Sequence, residues 1–374
     1  MSKLAQPYVQ TLPPYVPGGR QQSPEDVLLA SNENALGPAP EVLERLYALL
    51  AAREPDSPGC CPSLARYPDS GCGELAEKLA AELDISADCL AFGHGSDELI
   101  RLIAQTYLSP QDEVIFGRPS FPIFEKNAQL IVGPERCRAV PLRDYRLDLE
   151  AMAERIDART KLVFIPNPNT PTGTIVTAQE VDSFLARLPQ HTLAVLDEAY
   201  YEYVTAPDYP DSLDYVRTGQ NVIVLRTFSK AHALAGLRIG YAIARAELIE
   251  DLQRVRDIYN VSQWAQAAAL ASLEAPGQRE KSRAFNEAGK RYLYRELERL
   301  GVRYVPTQSN FLLIPLGRDD LPVWQALRER GVIVRPGSTL GAPQHIRVTI
   351  GTAAQNRRFV EALEAVLENL SSIP

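Results

Sequence analysis

Lys230 stands in the run "LRTFSKAHALAGLRIGY" (Leu225–Tyr241), between Thr227 and Ser229 on one side and small apolar residues on the other, with Arg238 eight positions on. A lysine charge is costly to bury alone, so in such surroundings it either snorkels to water or serves as a nucleophile. Asp197 closes a second apolar run, "TLAVLDEAYYEY". A carboxylate there needs something positive beside it, which a salt bridge, a helix cap or a protonated ring nitrogen would provide. "GHGSDELI" (Gly93–Ile100) puts small residues just ahead of a helical pattern, where backbone N–H groups can approach an anion. Ser96 or Asp97 as a plain N-cap explains the same letters, and the string is neither G-x-G-x-x-G nor G-x-x-x-x-G-K. "NPNTPTG" (Asn167–Gly173) is turn-forming, and it places two asparagines directly at the end of a strand-like run.

Taken together these groups describe one ligand. Ser96, Ser229 and Arg238 suit a phosphate, Asp197 suits an aromatic nitrogen, and Lys230 suits an aldehyde. Pyridoxal 5′-phosphate has all three features, and a lysine adduct with an acidic partner at the pyridine nitrogen is the way proteins hold it.

The elements that would position these residues follow from the pattern around them. Between about Cys89 and Ala244, β-rich runs such as "DEVIFG", "TKLVFIPNP", "TLAVLDEAY" and "NVIVLRTFS" alternate with helical stretches such as "SDELIRLIAQTYL" and "AQEVDSFLARL". That alternation predicts an α/β fold with a mostly parallel sheet covered on both faces, whose ligands lie outside the carboxyl ends of the strands. Further on, "AQAAALASLEA" and "NEAGKRYLYRELERLG" read as helices. The strands "NFLLIPL" and "HIRVTIG", mixed with the helices "VWQALRERG" and "NRRFVEALEAVLENL", predict a smaller α+β unit. We expect an N-terminal arm over residues 1–38, a large domain over 39–270 and a small domain over 271–374, the last joined in space by part of the N-terminal segment. At 374 residues, more than one core is expected.

Composition narrows the function classes. The formal net charge of −8, with no basic run, argues against a nucleic-acid partner. No apolar stretch approaches a membrane span or a signal core, so a cytoplasmic protein is expected. The five cysteines and four histidines are scattered without C-x-x-C or ligand spacing, which predicts neither disulfides nor a metal site.

The chain is similar, over nearly its whole length, to the fold-type-I pyridoxal-phosphate aminotransferases and, within them, to the histidinol-phosphate aminotransferases. The residues that carry the resemblance are "LASNENALGP", "RYPD", "GHGSDE", "NPNTPTG", "DEAYYEY", "RTFSKAHALAGLRIGY", "YNVSQWAQAAALASL", "GVIVRPG" and "IRVTIGT". The resemblance implies Lys230 as Schiff-base lysine and proton shuttle, Asp197 at the pyridine nitrogen and Tyr200 on the ring hydroxyl. It implies Ser96, Asp97, Ser229 and Arg238 around the phosphate, Phe121 stacked on the ring, and Asn169 or Thr170 at the ring oxygen. It also implies a homodimer in which Tyr67 reaches the other subunit's cofactor phosphate. Arg335, Arg347 and Asn34 would line the substrate pocket, where an amino donor and 2-oxoglutarate take turns. Departures from the family pattern are "NENA" for "NENP", His94 for the usual Asn, "KAHALAG" for "KAFGLAG", "RDIYNVSQ" for "RxPYNVN", and Thr170 for the Asn before "PTG". Because they gather near the substrate side, an aromatic-amino-acid aminotransferase and a decarboxylase of a phosphorylated amino acid stand as rivals with the same cofactor residues.

Overall fold

The computed structural model describes residue 4, residues 23–53 and residues 61–371. Most of the expected arm, and Cys60, lie outside them. In chain order the strands are β1 (Val27–Leu28), β2 (Leu90–Gly93), β3 (Glu113–Arg118), β4 (Cys137–Pro141), β5 (Thr160–Pro166) and β6 (Leu193–Asp197). They continue with β7 (Val222–Thr227), β8 (Gly240–Ile243), β9 (Phe311–Pro315), β10 (Val332–Ile333), β11 (Arg335–Pro336) and β12 (His345–Thr349). Seven of them form the central sheet in the order β2-β8-β7-β6-β5-β3-β4. Its pairs are parallel except at β8, which runs against both β7 and β2.

The middles of strands β3, β5, β6 and β7 are apolar at successive positions because both faces of the sheet are covered, and polar residues sit toward the strand ends. Leu162 and Phe164 of β5 pack with Val114, Phe116, Val195 and Leu225, whereas Val163 and Ile165 pack with Ile115, Leu196 and Val224 on the other side. Helices Ser96–Tyr107, Pro122–Val132 and Ala246–Val255 close the first core through Leu99, Phe124 and Leu252. Helices Pro40–Ala51, Gly73–Leu83 and Gln263–Glu274 close the second through Val42, Leu79 and Ala268. A fully buried parallel sheet of this kind is the α/β sandwich the alternating pattern predicts.

A third core belongs to the smaller α+β unit. There β11, β12 and β9 form an antiparallel sheet with β12 in the middle. Leu293, Leu312, Leu327, Val348 and Phe359, from its strands and from helices Gln278–Arg299, Asp320–Glu329 and Ala353–Ser371, share one apolar cluster. The N-terminal strand joins this unit: β1 pairs in parallel with β10, and Thr349 N donates to Leu29 O (2.9 Å). Leu270 and Ala275 pack in the large core while Leu293 and Leu297 pack in the small one.

Candidate active site

One edge of the central sheet collects the chemistry. Because β2, β3, β5, β6 and β7 all point the same way, their carboxyl ends share that edge. The reversed β8 begins there. The turns at this edge carry Ser96 after β2, Phe121 after β3, Asn169 after β5, and Asp197 at the end of β6. Ser229 and Lys230 follow β7, and Arg238 precedes β8. Residues spread over more than a hundred positions of sequence are thereby gathered by strand direction alone.

Asp197 is only 5% exposed, and burial pushes its carboxyl up to about 7. The hydrogen bond from Ala199 N (3.1 Å) and the charge of Lys230 act in the opposite direction without reversing it. Its neighbour Glu198 is already paired with Arg226 (2.9 Å), a guanidinium that also lies 3.8 Å from the Tyr201 ring centroid. Asp197 is thus a buried acid whose charged form calls for a further cation. Lys230, half-buried, extends Nζ to Ser31 O (3.3 Å), 5.5 Å from the Tyr200 ring centroid. Tyr200 is buried, sits edge-on to Phe311, and takes a hydrogen bond at its hydroxyl from Asn32 Nδ2 (2.8 Å). Two residues beyond the lysine, buried His232 meets Ser272 Oγ at Nδ1 (2.7 Å) and Glu202 Oε1 at Nε2 (3.5 Å). It ties the lysine turn to the turn that carries Tyr200.

An anion cradle lies at the start of helix Ser96–Tyr107. Arg238 adopts a left-handed backbone (φ 56°) and donates through Nη1 to Ala235 O (3.3 Å) and, at 3.5 Å, to Ser229 Oγ. Its Nη2 lies 3.7 Å from Asp97 Oδ2. Ser229 Oγ accepts in turn from Thr227 Oγ1 (3.0 Å). Two glycines keep the cradle open. A Cβ on Gly95 would come 2.3 Å from Arg238 Nη2, and one on Gly240 would come 2.7 Å from Ser96 N. Guanidinium, hydroxyl and helix N-terminus converging on glycine-lined space suit a phosphate.

The other end of the site comes from the small unit. Arg335 and Arg347 face each other directly across β11 and β12, and both are buried. Like charges opposite one another on a sheet destabilise it unless something negative lies between them or nearby. Arg347 donates through Nη2 to Ala30 O (2.7 Å) and through Nη1 to Thr170 Oγ1 (3.3 Å), with its guanidinium 5.2 Å from the Phe311 ring centroid. Through Phe311 and Tyr200, Arg347 is linked to Lys230.

Several expected residues hold the framework. Asn169 accepts from Ser120 Oγ (2.9 Å) and directs its amide N–H groups to Pro119 O (3.2 Å) and Thr172 Oγ1 (2.9 Å), so it ties its own loop to the turn after β3. Asn34 donates to Ala231 O and Ser282 Oγ, next to the lysine turn and not toward the arginine pair. Phe121 caps helix Pro122–Val132 and packs edge-on against Phe124. Tyr67 is 79% exposed and stacks on Tyr259 at 4.5 Å. The residue that sequence reasoning missed is Asn32, two places before Asn34. Its left-handed φ of 56° is a conformation asparagine tolerates, and "SNEN" offered either asparagine for the task.

The residues fit the groups of pyridoxal 5′-phosphate: a buried acid that has no salt bridge among the described residues, a cluster suited to a phosphate, and a lysine amine on the turn that also carries Ser229. Comparison with known proteins agrees. Residues 24–363 match the family model of class I and II aminotransferases. A histidinol-phosphate aminotransferase of Moorella thermoacetica is 46% identical over 367 residues, covering 96% of this chain and 92% of its own length. Another from a Geobacillus species is 44% identical, with 96% of both chains covered. The crystal structure of histidinol-phosphate aminotransferase from Sinorhizobium meliloti in complex with pyridoxal 5′-phosphate superposes with a TM-score of 0.86 at 27% identity, covering 99% of each chain.

Proposed function

The chain belongs to the class I and II aminotransferases, a pyridoxal-phosphate-dependent family, and from that premise we propose that it transfers the amino group of histidinol phosphate to 2-oxoglutarate. The products are imidazole acetol phosphate and glutamate, a step of histidine biosynthesis. The observation that carries the reading is the buried cross-strand pair of Arg335 and Arg347, of which Arg347 is linked to Lys230 through Phe311 and Tyr200. One pocket must hold a phosphate ester in one half-reaction and a carboxylate in the other, and a guanidinium pair accepts the oxygens of both. The names of the relatives at 44–46% identity support the same donor.

When bound, pyridoxal phosphate supplies an aldehyde that condenses with amines and a ring that withdraws electrons from the substrate carbon. The residues of the chain do the rest. Arg238, Ser229 and the N–H groups opening helix Ser96–Tyr107 bind the phosphate, with Asp97 turning the guanidinium. Asp197 gives its negative charge to the pyridine nitrogen and keeps a proton there. Tyr200, oriented by Asn32, would donate its hydroxyl to the ring oxygen, and Phe121 would line the space for the ring. Lys230 Nζ, as a free amine, would take the proton from the substrate carbon and give it back, acting as general base and then general acid. Asn169 and Asn34 act indirectly, by holding the loops that present Thr170 and Lys230.

The working unit is a homodimer with shared active sites, to which Tyr67 contributes from the other subunit. Its exposure, and that of Ile258 and of Leu43, Tyr47 and Leu50 along one face of helix Pro40–Ala51, supports this assembly. The protein works in the cytoplasm: Cys61, Cys72, Cys89 and Cys137 are free thiols, and among the described residues no helix is long and apolar enough to cross a membrane.

Donor profiling against 2-oxoglutarate tests the substrate. Histidinol phosphate is expected to exceed phenylalanine and tyrosine in kcat/KM on the order of a hundredfold, the effect of charge-assisted hydrogen bonds to its phosphate. A higher value for an aromatic amino acid, or release of carbon dioxide in place of amino transfer, would replace the proposal with one of the two rivals.

A further inference from the structure

We infer that Thr170 is a positioning residue for Arg347, whose hydroxyl fixes the guanidinium that receives the anionic end of both substrates. The inference rests on the aminotransferase reading of Arg347 and adds the group that aims it. Arg347 is 8% exposed and faces a second buried cation, Arg335, across the sheet. A guanidinium so placed is pushed away from its neighbour unless acceptors hold its plane. Among the acceptors that do so are Ala30 O at Nη2 (2.7 Å), whose position follows from the backbone, and Thr170 Oγ1 at Nη1 (3.3 Å). The flat face lies over the Phe311 ring.

Thr170 can act as a fixed acceptor because its loop is rigid. Next to it, Asn169 is bonded through its side chain to Ser120, Pro119 and Thr172. The Asn169 backbone is bonded to Thr174 and Gly173. A β-branched side chain on such a backbone has little rotamer freedom, so its oxygen is presented in one direction. A hydroxyl also has two lone pairs and one proton. Accepting from Arg347 leaves the Thr170 proton free, so the hydroxyl links the large domain to the substrate arginine of the small unit without blocking either. Because the contact crosses from the sheet-edge loop to β12, it also holds the two units in the relation that substrate binding needs.

The test uses the pyridoxal-phosphate-loaded protein and succinate, a dicarboxylate that cannot react. Its dissociation constant is read from the absorbance of the lysine-bound cofactor, and no amino donor is involved. Thr170→Val keeps the shape and removes the hydroxyl, and Thr170→Ser restores it. We expect Thr170→Val to weaken succinate about tenfold or more, the usual cost of losing one hydrogen bond to a charged group. KM for 2-oxoglutarate should rise by the same factor while kcat changes little, and Thr170→Ser should recover both. Borohydride trapping of the cofactor on Lys230 stays as in the wild type. Unchanged succinate binding in Thr170→Val overturns the inference. So does an equal loss in Thr170→Ser, which would assign the effect to packing, and so does a changed cofactor absorbance with unaltered succinate binding, which would assign Thr170 to the cofactor alone. Should the valine variant fail to fold, Thr170→Ala is read by the same criteria. A wild-type protein that carries cofactor on Lys230 but binds no succinate would instead overturn the reading of Arg347 beneath it.

Discussion

Asp197 carries a burial penalty on its charge that a bound cation would relieve. Its folded-state pKa, raised from 3.8 to about 7 chiefly by burial, means that the neutral acid is favoured in the fold. The stability this group contributes is complete below its ordinary value and is lost as pH rises toward 7, where the unfolded chain holds the charge more cheaply. Bare Asp197→Asn is therefore expected to melt above bare wild type at pH 8, with the difference vanishing toward pH 4; calorimetry at several pH values checks the slope. Loaded with cofactor, the same variant should lose turnover on the order of a thousandfold, since an amide cannot keep the ring nitrogen protonated. Arg347→Ala should raise KM for both substrates on the order of a hundredfold, and unchanged values would remove Arg347 from recognition. Lys230, Asp197 and Arg238 stood out in the sequence because each puts a charge where the surrounding letters predict burial, and the structure brings the three to one edge of the sheet. Asn32 did not stand out, and Thr170 was singled out through the resemblance alone and for a different contact, since neutral hydrogen-bonding residues in a turn look the same whether they hold a loop or a ligand.

At the scale of elements, the site depends on how closely β8 approaches the start of helix Ser96–Tyr107. Gly240 has no room for a side chain, because a Cβ would stand 2.7 Å from Ser96 N and 3.0 Å from Arg226 O, both backbone atoms. Gly240→Ala should therefore cost about 1–3 kcal/mol of stability by overpacking and lower pyridoxal-phosphate affinity at least tenfold. A melting curve and a cofactor titration measure the two effects, and normal affinity would show that the helix start does not form the cradle. Strands β3, β5, β6 and β7 were visible as unbroken apolar runs. The four-residue strands β2 and β8 were not, because "LAFG" and "GYAI" are short and rich in Gly and Ala, which have little strand preference. Missing β8 hid the reversal that brings Arg238 to the same edge as Lys230.

At the scale of the molecule, the apolar face of helix Pro40–Ala51 is the feature a lone chain does not explain. Val42 packs inward, while Tyr47 is 70% exposed with Leu43 and Leu50 beside it on the outer side. Ser63 Oγ donates to Leu49 O (3.1 Å), so the segment leading to Tyr67 starts from the end of that helix. Replacing Leu43 and Tyr47 together by Glu should halve the mass seen in sedimentation and remove most activity if, as proposed, the sites are completed across a dimer interface. Wild-type mass with lost activity would contradict that arrangement. The two-unit architecture was legible from the change from alternating strands and helices, up to about Ala244, to the α+β mix further on. The pairing of β1 with β10 was not, because strands of two residues leave no periodicity to read.

The most direct test of the whole account is chemical. Protein loaded with pyridoxal phosphate is reduced with borohydride, digested, and its peptides are weighed. A pyridoxyl group on the peptide that contains Lys230, and on no other, is the result the account predicts. A label on a different lysine, or none at all with saturating cofactor, would contradict it.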